Sequence, residues 1–94
     1  MSDQELKTLI DNIKKTILTD DKKNLLSDAM SKYKLTCSQA KEILDQFTIS
    51  FEKKIMLSEY IAQNLTDPEN LDICLETFDF DLDRKMMKRA IRIV

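Results

Sequence analysis

The chain has 94 residues, enough for one domain and too few for two. It contains no glycine, no tryptophan, no histidine and a single proline. That composition argues against a fold of tight β-hairpins, whose turns want φ > 0, and it removes the commonest general base and a common zinc ligand together. A net charge of −2 implies no general pull toward nucleic acid, and no apolar run is long enough to span a membrane.

In chain order, the sequence predicts six short helices, an all-α fold. Ser2-Asp3-Gln4-Glu5 reads as a capping box, S-x-x-E, and Leu6, Leu9, Ile10, Ile13 and Ile17 follow it at helical spacing. Thr19 or Asp20 is the N-cap expected for the second helix, with Leu25, Leu26, Ala29, Met30 and Tyr33 as its stripe. Thr36-Cys37-Ser38-Gln39 is a second box, T-x-x-Q, leading into Ala40, Ile43, Leu44 and Phe47. Ser50 is the cap expected for the fourth helix, with the stripe Phe51, Ile55, Leu57, Tyr60 and Ile61 and Met56 beside it. Thr66-Asp67-Pro68-Glu69 is a third box, T-x-x-E, with proline in the first turn, before Leu71, Cys74, Leu75 and Phe78. Asp81 is the cap expected for the last helix, with Leu82, Met86, Met87, Ala90 and Ile91 facing the core and Val94 continuing the stripe. The connections are short enough for neighbouring helices to pack as hairpins.

The chain also resembles itself. Shifted by 31 residues, Lys22-Lys23 meet Lys53-Lys54, Leu26-Ser27 meet Leu57-Ser58, and Leu44 and Phe47 meet Leu75 and Phe78. Self-similarity at such a period is the mark of stacked repeats, so the expectation is about three helical hairpins forming a compact bundle or a short solenoid over residues 1–94. The period also disposes of a tempting metal motif. In "FDFDLDRK", Asp79, Asp81 and Asp83 sit two apart like the first calcium ligands, but the segment occupies the place of "FTISFEKK" one repeat earlier. The glycine and glutamate that a calcium loop needs at its sixth and twelfth positions are Arg84 and Ala90 here. The segment is then a joint between hairpins, with Phe80 expected to plug the core as Ile49 would.

The repeating form carried by "DDKKNLLSDAM", "LTCSQAKEILDQFTISFEKKIMLSEYI" and "DPENLDICLETFDFDLDRKMM" resembles the domain of unknown function 4476 family, from about Leu6 to Ile91. The resemblance implies an all-helical module, often an appendage to larger proteins, with no established chemistry, and it transfers no functional residues. Lys88 and Arg89 stand where the preceding repeat has Leu57 and Ser58, a departure that bears on how the last hairpin packs.

Catalysis has little to work with: there is no histidine partner for a nucleophile and no glycine-rich phosphate loop. Cys37 follows a cap, where a thiolate would be favoured, but reads as a small helix-start residue, and Cys74 reads as core. Tyr33, Tyr60, Met56, Met86 and Met87 could line a soft groove for a partner helix, though such residues are more often core. Charge is more informative. Residues 66 to 83 hold seven acids and no base, while residues 84 to 94 hold five bases (Arg84, Lys85, Lys88, Arg89, Arg92) and no acid. Acids before a helix and bases along it suit the macrodipole and let the last two helices attract. The competing reading is a face of Lys85, Lys88, Arg89 and Arg92 that binds an anionic partner, nucleic acid or an acidic membrane surface.

These features lead to the expectation of a non-catalytic protein–protein interaction module with no cofactor and no metal. The opening "MSDQELKTLI" lacks the apolar stretch of a signal peptide, and two cysteines without a CxxC suit a reducing, cytoplasmic setting. The apolar end "AIRIV" is a candidate surface for self-association through the C-terminal helix.

Overall fold

Ser2 and Thr36 start their helices as their sequence contexts demand. In the computed structural model, which describes residues 1–91, Ser2 Oγ accepts the Glu5 N–H at 3.1 Å and Glu5 Oε1 accepts the Ser2 N–H at 2.7 Å. This reciprocal cap opens α1 (Asp3–Lys15). Thr36 and Gln39 repeat the arrangement at α3 (Cys37–Leu44). Acids in the first turn of α1 and lysines in its last complement the helix dipole.

The other predicted caps sit one residue too far along. Thr19, Ser50 and Asp81 are themselves the first residues of α2 (Thr19–Lys32), α4 (Ser50–Ile55) and α6 (Asp81–Ile91). Leu18 and Ile49 occupy the N-cap positions of α2 and α4 without a side-chain bond. The carbonyls of Leu18, Ile49 and Phe80 accept the first helical N–H groups, from Lys22, Lys53 and Arg84. The polar side chains that propensity would use as caps are engaged elsewhere: the Thr19 hydroxyl donates to Glu52, and Asp81 pairs with Lys85.

The third box does not form. Thr66 donates its hydroxyl to the Leu35 carbonyl instead, and Asp67 takes the N-cap position of a 3₁₀ turn (Pro68–Asn70) that runs into α5 (Leu71–Leu75). The Asp67 carboxylate accepts the Cys37 N–H at 2.7 Å and Asn70 Nδ2 at 3.0 Å. It thereby satisfies an orphan donor of α3 across 30 residues of sequence. The fourth helix is longer and less regular than its stripe suggests. It passes from α4 into a π-helical turn (Met56–Ile61) and a 3₁₀ turn (Ala62–Asn64). The wider turn, with the Ala62 N–H reaching the Leu57 carbonyl, puts Met56 and Ile61 on one side, and both are fully buried.

Among the described residues there are six α-helices and no strand; the chain is an all-helical globule. α1 packs on α2 and α3, and α3 packs on α5. The 56–61 turn lies against α2, α3 and α6, and α5 against α6. Buried residues form one contiguous cluster, with Ile13, Leu26, Ile43, Leu44, Phe47, Leu57 and Phe78 fully enclosed. The two connections after α2 and α4 meet through backbone bonds, Leu35 N–H to the Asn64 carbonyl at 3.0 Å and Thr66 N–H to the Leu35 carbonyl at 2.8 Å.

Several stripe residues are not core. Ile17, Phe51, Leu82, Met86 and Ala90 are exposed, and neither Ile49 nor Phe80 plugs anything. In α6 the inward side is turned about 100° from the expected one, one residue's rotation: Met87 is buried, with Asp83, Arg84, Lys88 and Ile91 half-buried around it. Two polar contacts hold this orientation, the ion pair of Asp83 with Lys54 at 2.7 Å and the bond from Arg84 Nε to the Phe78 carbonyl at 2.8 Å. Arg92 and Val94 lie outside the described residues.

Candidate protein interface

Most of the large apolar residues that leave the core fall at the starts of three helices. Seven large apolar side chains are exposed among the described residues, and six of them fall in three five-residue segments that open α2, α4 and α6. These are residues 17–21 (ILTDD), 48–52 (TISFE) and 79–83 (DFDLD), each beginning 31 residues after the last. Ile17 and Leu18 come from the first, Ile49 and Phe51 from the second, Phe80 and Leu82 from the third, with Phe51 and Leu82 both 68% exposed.

Polar contacts hold the three segments side by side. The Thr19 hydroxyl donates to Glu52, joining the first turns of α2 and α4. Lys54 pairs with Asp83, joining α4 to α6, and Lys53 Nζ donates to the Thr77 carbonyl at 2.6 Å just before α6. Behind the rim the Thr77 hydroxyl, itself buried, donates to Asp45 Oδ1 at 2.7 Å. Burial works to raise the Asp45 carboxyl, but the bonds from Lys41 and Thr77 and the Lys41 and Lys53 charges outweigh it and hold the group below its ordinary value. An open groove of about 640 Å³ adjoins the first segment, lined in part by Ile17, Leu18 and Leu25. Sequence reasoning missed this rim because it assigned Ile17, Phe51 and Leu82 to helix stripes; the recurrence of apolar residues at the joints was the available signal.

The predicted basic face is divided by its own acids. Lys85 pairs with Asp81 within α6 at 3.2 Å, and Lys88, half-buried, reaches Asp72 just inside α5 at 3.0 Å. Arg89 is exposed and Arg84 is turned inward. The three aspartates of "FDFDLD" also part company: Asp79 is exposed, Asp81 binds Lys85 and Asp83 binds Lys54. Met56 and Met87 are buried and Tyr33 and Tyr60 half-buried, so with Met86 exposed these residues line no common groove.

Cys37 and Cys74 are free and buried. Burial pushes the Cys37 thiol up to about 12, helped by Asp67, whose backbone carbonyl accepts the S–H at 3.1 Å. Burial likewise pushes Cys74 up to about 12, with the Asp45 and Asp67 charges acting in the same direction. Both therefore stay protonated at neutral pH. No helix among the described residues is long and apolar enough to cross a membrane.

The described residues place the chain in the class of small all-helical globules. Within that class the chain belongs to the family described as Domain of unknown function (DUF4476), whose model matches residues 1–91. No curated protein and no solved structure gives a match.

Proposed function

We propose that this chain is a non-catalytic protein–protein interaction module built from three stacked helical hairpins with a 31-residue repeat. The observation that carries the function is the exposure of Leu18, Ile49, Phe51, Phe80 and Leu82 at the joined openings of α2, α4 and α6. Scattered exposed apolar residues need no explanation, but a contiguous set rimmed by polar groups marks interaction sites.

The repeat is supported by matched environments at the same spacing. Leu26 and Leu57, Leu44 and Leu75, and Phe47 and Phe78 are buried in pairs, as Ile49 and Phe80, and Phe51 and Leu82, are exposed in pairs. The packing of α1 on α2, α3 on the 56–61 turn and α5 on α6 fits three hairpins. Side-chain bonds between distant parts of the chain also cluster near one period, such as Cys37 to Asp67, Thr19 to Glu52 and Thr77 to Asp45. A non-enzymatic role is supported by thiols that remain protonated and by the missing histidine. Buried free cysteines also suit a reducing, cytoplasmic setting.

The second reading, an anionic partner bound through Lys85, Lys88, Arg89 and Arg92, keeps one observation in its favour: Lys85 and Arg89 are exposed. The two separate by experiment. Pull-downs with the immobilised chain should lose their retained protein when Phe51 and Phe80 are both changed to Ser, with the unfolding curve unchanged. Replacing the four basic residues with Gln should leave capture intact. If the Gln variant alone loses binding, and nucleic acid or anionic vesicles bind the parent in a salt-dependent way, the basic face is the functional one.

A further inference from the structure

The N-terminal segment and the two connections after α2 and α4 share a pattern, an apolar residue followed by a hydroxyl residue: Met1-Ser2, Leu35-Thr36 and Leu65-Thr66. Ser2, Thr36 and Leu65 all have extended backbones. The segments also share a bonding rule. The Leu35 N–H donates to the Asn64 carbonyl at 3.0 Å, and the Leu35 carbonyl accepts the Thr66 N–H at 2.8 Å. The Met1 amino group donates to the Lys34 carbonyl at 2.6 Å, and the Met1 carbonyl accepts the Gln39 side-chain amide at 2.6 Å. Gln39 stands in there for the Thr36 N–H, which its own Oε1 accepts at 3.0 Å. In both cases the apolar residue directs its own backbone groups at the next segment, to the residues flanking that segment's leucine.

Leu65 is the last of the series. It pairs with Leu35 as an isolated parallel bridge, in which Asn64 and Thr66 supply the bonding groups on its side. Backbone groups alternate in direction along an extended segment, so the N–H and C=O of Leu65 itself point away from Leu35. Among the described residues the Leu65 carbonyl accepts no bond, and the Leu65 N–H donates to no other extended segment. Unpaired carbonyls are rare inside proteins, so this one faces water or a partner. Leu65 is half-buried and Thr66 is exposed. The bridge is thus an open edge, the kind of template to which an extended peptide adds its own backbone bonds.

We infer that Leu65 forms a docking edge for an extended strand of a partner protein, laid parallel to residues 64–66. The strand offers what the chain's own connections offer each other: an apolar residue beside Leu65, the carbonyl before it for the Leu65 N–H, and the N–H after it for the Leu65 carbonyl. The inference goes beyond the interaction-module reading, because this edge lies at the other end of α2 and α4 from the rim. Continuity with the two internal pairings selects a strand as the ligand. A second copy does not supply one in the same way. Its Leu35 is already paired, its Met1 is tied to Lys34, and its Ser2 N–H is taken by Glu5 at 2.7 Å.

The test uses the chain's own connection as the probe, an acetylated and amidated peptide of residues 62–69 (AQNLTDPE). Backbone amide signals of the whole isotope-labelled chain are followed by NMR as the peptide is added up to millimolar concentration. The signals of residues 64–67 should shift and saturate. Proline in place of the peptide's threonine removes the N–H meant for the Leu65 carbonyl. It should weaken binding at least about fivefold, the loss of one net hydrogen bond. Phe51→Ser and Phe80→Ser should leave the titration unchanged, which separates this edge from the rim. No shift at residues 64–67, or equal binding of the proline peptide, would overturn the inference. Binding that appears only in a chain cut after Ile91 would overturn it too, since the chain's own residues 92–94 would then hold the edge. So would sedimentation showing self-association that the peptide displaces. If the rim pull-down fails while the peptide still binds at residues 64–67, the docking edge stands and the rim reading falls.

Discussion

The four phenylalanines divide evenly. Phe47 and Phe78 are fully buried, while Phe51 and Phe80 are about two-thirds exposed. The two kinds lie within four residues of each other in sequence, and Phe78 and Phe80 within two. Side-chain chemistry cannot explain the division. Phe47 and Phe78 close the ends of the helices they follow, their N–H groups donating to the Leu44 and Leu75 carbonyls, and so keep the inward direction of the stripe. Beyond them the chain bends to start α4 and α6, and that bend carries Ile49, Phe51, Phe80 and Leu82 outward. The same residue type thus supports the fold on one side of a joint and is free for recognition on the other.

The largest way to break this comparison is truncation. Phe78→Ala should cost about 3–5 kcal/mol in urea unfolding, through lost burial and the cavity left behind. Phe80→Ala should change stability by no more than about 0.5 kcal/mol, as exposed positions generally do. Equal effects at the two positions would remove the distinction between anchor and rim.

The comparison sharpens at Thr77, the buried polar neighbour of Phe78. Its hydroxyl bond to Asp45 and the Lys53 bond to its carbonyl fix the direction in which the chain enters the joint. Thr77→Val keeps the shape and removes the hydroxyl, and should cost about 1–2 kcal/mol. Binding at the rim should weaken as well, because the third segment is no longer held in place. A variant with lower stability and unchanged rim binding would show that the joint is positioned by apolar packing alone.

The smallest expected effect is an acid limb. Asn70 and the Cys37 N–H hold the Asp67 carboxyl below its ordinary 3.8, as Lys41 and Thr77 hold Asp45 against the opposing effect of burial. A lowered carboxyl binds fewer protons folded than unfolded near that pH. Its contribution is therefore complete above about 3.8 and is lost as pH falls through the lower folded value. Melting temperature should hold level from neutral pH to about 5 and then decline, with a shallower decline in Asp67→Asn. An unaltered slope would show that Asp67 titrates alike in both states.

Reading the sequence alone succeeded where a bond partner lies within one turn. Ser2 with Glu5 and Thr36 with Gln39 are three residues apart, so helix geometry by itself brings them together. The buried stripes from Ala40 to Phe47 and from Leu71 to Phe78 were legible for the same reason, since 3.6-residue periodicity sets which side chains share a face. Local rules failed where the partner is a period away. Thr66 and Thr19 left the capping role for Leu35 and Glu52, and Asp67 capped α3. The rotation of α6 was settled by Lys54 and the Phe78 carbonyl. Local sequence determined that the chain is helical, roughly where its helices run, and most of its core anchors. Tertiary structure alone decided which apolar residues at the joints face solvent, because backbone direction there is fixed by bonds to the neighbouring helices and not by the residues of the joint.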